Sequence, residues 1–147
     1  MTEIYYFTGT GNSLFAAKHL AEQLDSVQLI PIASLIKQDE IKISENKIGL
    51  SFPVYIGGMP LIVKEFVKKL KFEAKPYIFA IATNAGTVAS TLVMVDTLLK
   101  QKEQRLSAGF SLCMISNYVP MYDAEKDEII KERLVNARQE IKRIAEI

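Results

Sequence analysis

The chain has 147 residues, 49% of them hydrophobic and 24% charged, which is the size and polarity of one compact soluble domain spanning residues 1–147. Eighteen basic against seventeen acidic residues leave a formal charge of +1, so there is no electrostatic case for nucleic acid or an anionic membrane as partner. The single cysteine, Cys113, can make no intramolecular disulfide and cannot alone fill a zinc site or hold an iron–sulfur cluster, so any redox chemistry must come from a bound cofactor.

The opening residues lack the basic start and long apolar core of a secretory signal, and a cytoplasmic protein is expected. Ile4-Tyr5-Tyr6-Phe7 reads as a short buried strand that stops at Gly9 and Gly11. Leu14, Ala17, Ala21 and Leu24 then recur at helical spacing. Residues 27–32 read as a second strand, and residues 47–52 as a third after a polar connection. Pro60 suits the first turn of a second helix, whose buried stripe is Ile62, Phe66, Val67 and Leu70.

Residues 76–95 carry no charge, a span long enough on paper to cross a bilayer. Thr83-Asn84-Ala85-Gly86-Thr87 interrupts it, so it reads as a fourth strand, residues 77–83, and a helix marked by Val88, Leu92, Val95 and Leu99. Residues 106–115 supply a fifth strand. Asp123 can cap a last helix in which Ile130, Leu134, Ala137, Ile141 and Ile144 repeat. Alternating strands and helices predict a doubly wound α/β fold, with a parallel sheet covered on both faces. Ligands of such sheets bind outside the carboxyl ends of the strands, where the strand order reverses, so the loops there carry the functional information.

The first of these loops, Thr8-Gly9-Thr10-Gly11-Asn12-Ser13, lies between a strand and the start of a helix, where main-chain N–H groups and the helix dipole favour an anion. The hydroxyls of Thr8, Thr10 and Ser13 add donors. A P-loop is excluded because Gly11 is followed by Asn12-Ser13 rather than Lys-Ser/Thr. The dinucleotide fingerprint is disfavoured because its third glycine is Leu14 and no acid stands near Ile32 to grip a ribose. No arginine follows Cys113 at phosphatase spacing, and Phe7-Thr8 stands where a phosphoreceiver would carry acids. His19 and Cys113 read as structural residues.

The pattern Thr-x-Thr-Gly-x-Ser directly after the first strand resembles the FMN phosphate loop of flavodoxins. Phe52-Pro53-Val54-Tyr55-Ile56-Gly57-Gly58-Met59-Pro60 and Asn117-Tyr118-Val119-Pro120-Met121-Tyr122 are similar to segments in the flavodoxin half of bacterial flavodoxin–ferredoxin fusion proteins. The resemblance covers essentially the whole chain. It implies a flavodoxin-like three-layer sandwich of short-chain type, with a five-stranded parallel sheet in the order 2-1-3-4-5.

The resemblance also implies noncovalently bound FMN and transfer of single electrons. The phosphate would be held by Thr8, Gly9, Thr10, Gly11, Asn12 and Ser13. The ring would lie among Pro53, Val54, Tyr55, Ile56, Gly57, Gly58, Asn117 and Tyr118, with Tyr55 and Tyr118 as the aromatic candidates, since the chain has no tryptophan. The Gly57 carbonyl would turn toward flavin N5–H on reduction. Thr83, Asn84, Ala85 and Gly86 can offer hydrogen bonds to the pyrimidine edge, although a plain strand-to-helix turn would read the same.

The loops at the carboxyl ends of the strands, residues 8–13, 53–59, 83–91 and 116–122, contain no charged side chain, and no catalytic acid, base or nucleophile and no metal-ligand cluster is evident. With no cation to offset the charge of reduced flavin, a low potential is expected. Partners would be redox proteins, such as a separate ferredoxin or a reductase, with weak electrostatic steering, and a monomer is expected. Two other readings stay open. One is an FMN-dependent NAD(P)H:quinone or other acceptor oxidoreductase, and the other a flavin-free domain that keeps the fold for protein interaction.

Overall fold

The computed structural model describes residues 1–116 and 126–146. The elements in chain order are β1 (Thr2–Tyr6), α1 (Asn12–Ala21), β2 (Val27–Pro31), α2 (Ile32–Leu35), β3 (Ile41–Ile43), β4 (Lys47–Pro53), α3 (Leu61–Lys69), β5 (Leu70–Phe72), β6 (Tyr77–Asn84), α4 (Thr91–Lys100), β7 (Ala108–Cys113) and α5 (Asp127–Ile144). Five strands pair in parallel in the order β2-β1-β4-β6-β7, which is 2-1-3-4-5 when these strands alone are counted. β3 and β5 form a separate parallel pair that the sequence reading did not anticipate. Three residues are too few for a periodic signal, and Ile41-Lys42-Ile43 sits in what reads as a polar connection.

Side chains alternate between two cores, because successive strand residues point to opposite faces. Ile48, Leu50 and Phe52 of β4 and Ile78, Ala80 and Ala82 of β6 enter one core with Val63, Phe66 and Val67 of α3 and Val95 and Leu99 of α4. Ile4 of β1 and Phe79 and Ile81 of β6 enter the other with Ala16, Ala17 and Leu20 of α1 and Ala137, Ile141 and Ile144 of α5. On that second face β4 contributes small residues. A Cβ added at Gly49 would lie 2.4 Å from the ring of Phe79, its register partner, so the glycine makes room for the phenyl group.

Several expectations shift by a residue or two. The face of α1 that is buried is Ser13, Ala16, Ala17 and Leu20, so the stripe read from Leu14 and Ala21 is rotated. α3 buries Val63 where Ile62 was expected, and Leu70 belongs to β5. Val88 precedes α4. β7 is shorter than residues 106–115 at both ends: it stops at Cys113, and before its start the Leu106 N–H donates to Asp96 Oδ1 at 3.0 Å instead of joining the ladder. The cap expected at Asp123 lies outside the described residues. Residues 76–95 form β6 and the start of α4, and no helix among the described residues is long and apolar enough to cross a membrane.

Candidate functional site

β1 is the strand at which the order reverses, with β2 on one side and β4 on the other, and the crevice opens at its carboxyl end. The first loop leaves β1 with the Phe7 N–H still bonded to the Ser51 carbonyl at 2.9 Å. Within it the Gly11 N–H donates to Thr8 Oγ1 at 2.9 Å, and Gly11 itself has φ 105°, a left-handed conformation suited to glycine. α1 begins at once with no side-chain cap and no acid in its first turn. The positive end of that helix is therefore uncompensated, and its leading N–H groups are free to meet an anion.

One expected donor is turned elsewhere. Ser13 is buried, and its hydroxyl pairs with Thr83 Oγ1 at 2.7 Å, while Thr83 donates onward to the Phe52 carbonyl at 3.4 Å. The Ser51 hydroxyl donates to the Ser13 carbonyl at 2.9 Å. Together these bonds tie the first turn of α1 to the ends of β4 and β6. Asn12 Nδ2 reaches the Ile115 carbonyl at 2.9 Å, which links the same turn to the segment after β7.

The second loop leaves β4 with the Val54 N–H on the Thr83 carbonyl at 2.8 Å. Tyr55 and Gly58 exchange two main-chain hydrogen bonds, at 2.8 and 3.0 Å. Between them Ile56 has φ 49° and Gly57 φ 72°, the pattern of a type I′ turn. Tyr55 leans from this turn back over the first loop, where a Cβ added at Gly9 would lie 2.5 Å from its hydroxyl. Phe7 meets its ring edge-on at 6.2 Å between centroids. Ile56 projects fully into solvent at the rim.

In the third loop the Asn84 side chain is spent locally. Its Nδ2 donates to the Ala82 carbonyl at 3.1 Å and to Ser111 Oγ at 2.8 Å, and its Oδ1 accepts the Gly86 N–H at 3.1 Å. Main-chain groups of this loop remain as the ones a ligand could use.

These three loops enclose a cleft of about 710 Å³. Thr8, Gly9, Thr10, Asn12, Ser13, Pro53, Val54, Tyr55, Ile56, Thr83, Asn84 and Ala85 line it, and Ile115 and Ser116, which the sequence reading did not single out, complete the described wall. Gly11, Gly57, Gly58 and Gly86 belong to the turns of these loops and do not line the cleft. Asn117 and Tyr118 lie outside the described residues. No described lining residue is charged. Among the described residues no group of three His, Cys, Asp or Glu side chains could hold a metal. His19 pairs with Glu22 in a groove beside Arg138 and Ile141 of α5, and Cys113 is exposed on β7 with Arg133 Nη1 4.0 Å from its sulfur. Neither lines the cleft. The described wall thus combines an uncapped helix start, the Tyr55 ring leaning over the first loop and the apolar residues Pro53, Val54 and Ile115, and none of its side chains is charged.

No family model matches the sequence, and no curated protein matches it significantly. Solved structures do match in fold. A flavoprotein of Bacteroides uniformis, described as putative, superposes with a TM-score of 0.67 at 17% identity, over 99% of this chain and 97% of that one. The two-electron reduced flavodoxin of Megasphaera elsdenii gives 0.59 at 14% identity, over 94% and 98%. An FMN-dependent NADH-azoreductase of Bacillus anthracis, in complex with FMN, gives 0.62 at 11% identity, over 99% and 97%. At these identities the likeness is one of architecture, and the chain has the flavodoxin-like fold that these proteins share.

Proposed function

We propose that the chain binds FMN noncovalently in this cleft and carries single electrons at low potential, on a three-layer sandwich in which α1 and α5 cover one sheet face and α3 and α4 the other. The observation that carries the reading is the composition of the cleft. An uncapped helix start stands at one end, residues at the ends of β4 and β6 and after β7 form the walls, and no charged side chain lines the described wall. Its volume of about 710 Å³ suits a nucleotide of this size. Solved neighbours of the fold include proteins described as FMN-dependent or in complex with FMN, which supports the same reading.

Bound FMN supplies reversible redox chemistry; the protein supplies its environment. The amides at the start of α1 and the Thr8 hydroxyl would hold the phosphate through several charge-assisted hydrogen bonds, each worth about 1.5–3 kcal/mol. Pro53, Val54 and Tyr55 would exclude water from the ring. The turn at Gly57 would let the following peptide present a carbonyl to flavin N5–H. Because no cation lines the described wall, the charge gained on full reduction goes unbalanced. Each tenfold loss of affinity on one-electron reduction lowers the potential by about 59 mV. The electron would pass to and from a separate redox protein, a ferredoxin or a reductase, with the chain acting as a monomer in the cytoplasm.

The test is reconstitution of the purified protein with FMN, followed by stepwise photoreduction and a redox titration. Stoichiometric quenching of flavin fluorescence and a second one-electron potential below that of free FMN are expected. A protein that stays colourless in excess FMN overturns the reading. Rapid stopped-flow reduction by NADH or NADPH without a partner protein would replace the carrier by an FMN-dependent oxidoreductase.

A further inference from the structure

We infer that Tyr55 serves the phosphate end of the cleft rather than only the ring, its phenolic hydroxyl donating a hydrogen bond to the phosphate monoester held at the start of α1. This assignment rests on the flavin reading above. Two features locate the hydroxyl. It packs directly against Gly9, so that a Cβ there would stand 2.5 Å from it. Its ring is held in that pose from two sides, by Phe7 edge-on at 6.2 Å and by the pair of main-chain bonds between Tyr55 and Gly58.

The neighbouring donors make the need for it plain. The Ser13 hydroxyl is engaged with Thr83 beneath the loop, and Thr8 Oγ1 already accepts the Gly11 N–H, leaving that threonine one O–H to give. No lysine or arginine lines the described wall. The Tyr55 hydroxyl has no hydrogen-bond partner among the described residues, and Tyr55 is a half-exposed residue of the cleft wall. A ligand filling the cleft would strip water from this hydroxyl, and a polar group so covered needs an acceptor. The acceptor that a phosphate monoester brings to Gly9 is a phosphate oxygen. Gly9 thus has a second role: any side chain there would push the hydroxyl away from the loop.

The experiment compares FMN with riboflavin, which differ only in the phosphate, on wild-type apoprotein and on Tyr55→Phe, with inorganic phosphate as a third probe followed through the main-chain N–H resonances of Asn12 and Ser13. Phenylalanine keeps the ring and removes the hydroxyl. A hydrogen bond to a charged group corresponds to roughly 10- to 100-fold in affinity. Tyr55→Phe should therefore weaken FMN at least tenfold, leave riboflavin unchanged and weaken inorganic phosphate.

An FMN affinity within twofold of wild type, or an equal loss for FMN and riboflavin, overturns the donor role and leaves the ring as the contribution of Tyr55. Tyr55→Leu, which lacks both ring and hydroxyl, should in contrast weaken both flavins; unchanged riboflavin binding in that variant would overturn the ring contact that the inference keeps for Tyr55 beside its hydroxyl. If wild type ignores FMN but binds phosphate in a Tyr55-dependent way, the flavin reading falls and the donor stands. If it binds neither, both fall.

Discussion

Ile56 is the residue at which local preference and observed conformation disagree most. A β-branched side chain at φ 49° costs about 1–2 kcal/mol relative to a residue that tolerates the left-handed region. The side chain is fully exposed and buries nothing in return. Ile56→Asn, which suits the first central position of a type I′ turn, should stabilise the apoprotein by about 1 kcal/mol and raise its melting temperature by about 2–4 °C, measured by differential scanning calorimetry. An unchanged melting temperature would mean that the turn relaxes when no ligand is bound. Gly49 presents the opposite case, an ordinary strand position closed by a neighbour. Gly49→Ala drives a methyl group into the buried Phe79 ring and should cost about 1–3 kcal/mol in urea unfolding. Pairing it with Phe79→Leu should recover part of that loss, because the obstruction is the phenyl group and not the backbone.

At the scale of elements, the large periodic units were readable and their phases were not. The sheet strands declare themselves as apolar runs ended by Gly9, Pro53 or Asn84, and β4 and β6 appear within a residue of where those runs place them. In α1 the spacing predicts a face of Leu14, Ala17 and Ala21; Ala17 is buried, but the helix turns Ser13, Ala16 and Leu20 inward with it, and the Ser13 carbonyl accepts a hydrogen bond from the Ser51 hydroxyl of β4. That fit depends on the opposite strand, which a pattern within one segment cannot supply. The start of β7 was hidden for a similar reason, since a side chain from α4 takes up the Leu106 N–H.

That side chain is Asp96. A hydrogen bond from Lys100 at 2.7 Å and the Leu106 N–H at 3.0 Å hold its carboxyl below the ordinary aspartate range. A carboxyl whose folded pKa is depressed stabilises the fold at pH values above its unfolded pKa, and that contribution disappears as the pH falls through the depressed folded value. Asp96→Ala should therefore lower stability at pH 7, by no more than about 1 kcal/mol because the ion pair is solvent-screened. At pH 2–3 the gap between variant and wild type should narrow. Urea midpoints at the two pH values measure it, and a gap that does not change with pH would assign the effect to lost packing alone.

At the scale of the whole molecule, the cleft is joined to both cores rather than perched on them. The bonds from Ser51 to Ser13, from Ser13 to Thr83 and from Thr83 to Phe52 connect α1, β4 and β6, and Phe52 is itself fully buried in the core that α3 and α4 cover. Asn12 extends the same set of bonds to the segment after β7. Loops tied in this way cannot open without breaking buried hydrogen bonds, so a ligand of the cleft should stabilise the global fold and not a local flap. Under the flavin reading, FMN at a hundred times its dissociation constant adds about 2.7 kcal/mol to the free energy of unfolding, and each further tenfold adds about 1.4 kcal/mol. The urea midpoint should rise linearly with the logarithm of FMN concentration while the slope of the transition stays constant. Because the described wall has no charged side chain, the rise should also differ little between low and moderate salt. A midpoint that levels off while binding continues would show that the loops release FMN before the sheet unfolds, and Thr83→Val, which cuts the bonds beneath the loop, should then produce the same plateau at a lower concentration of urea.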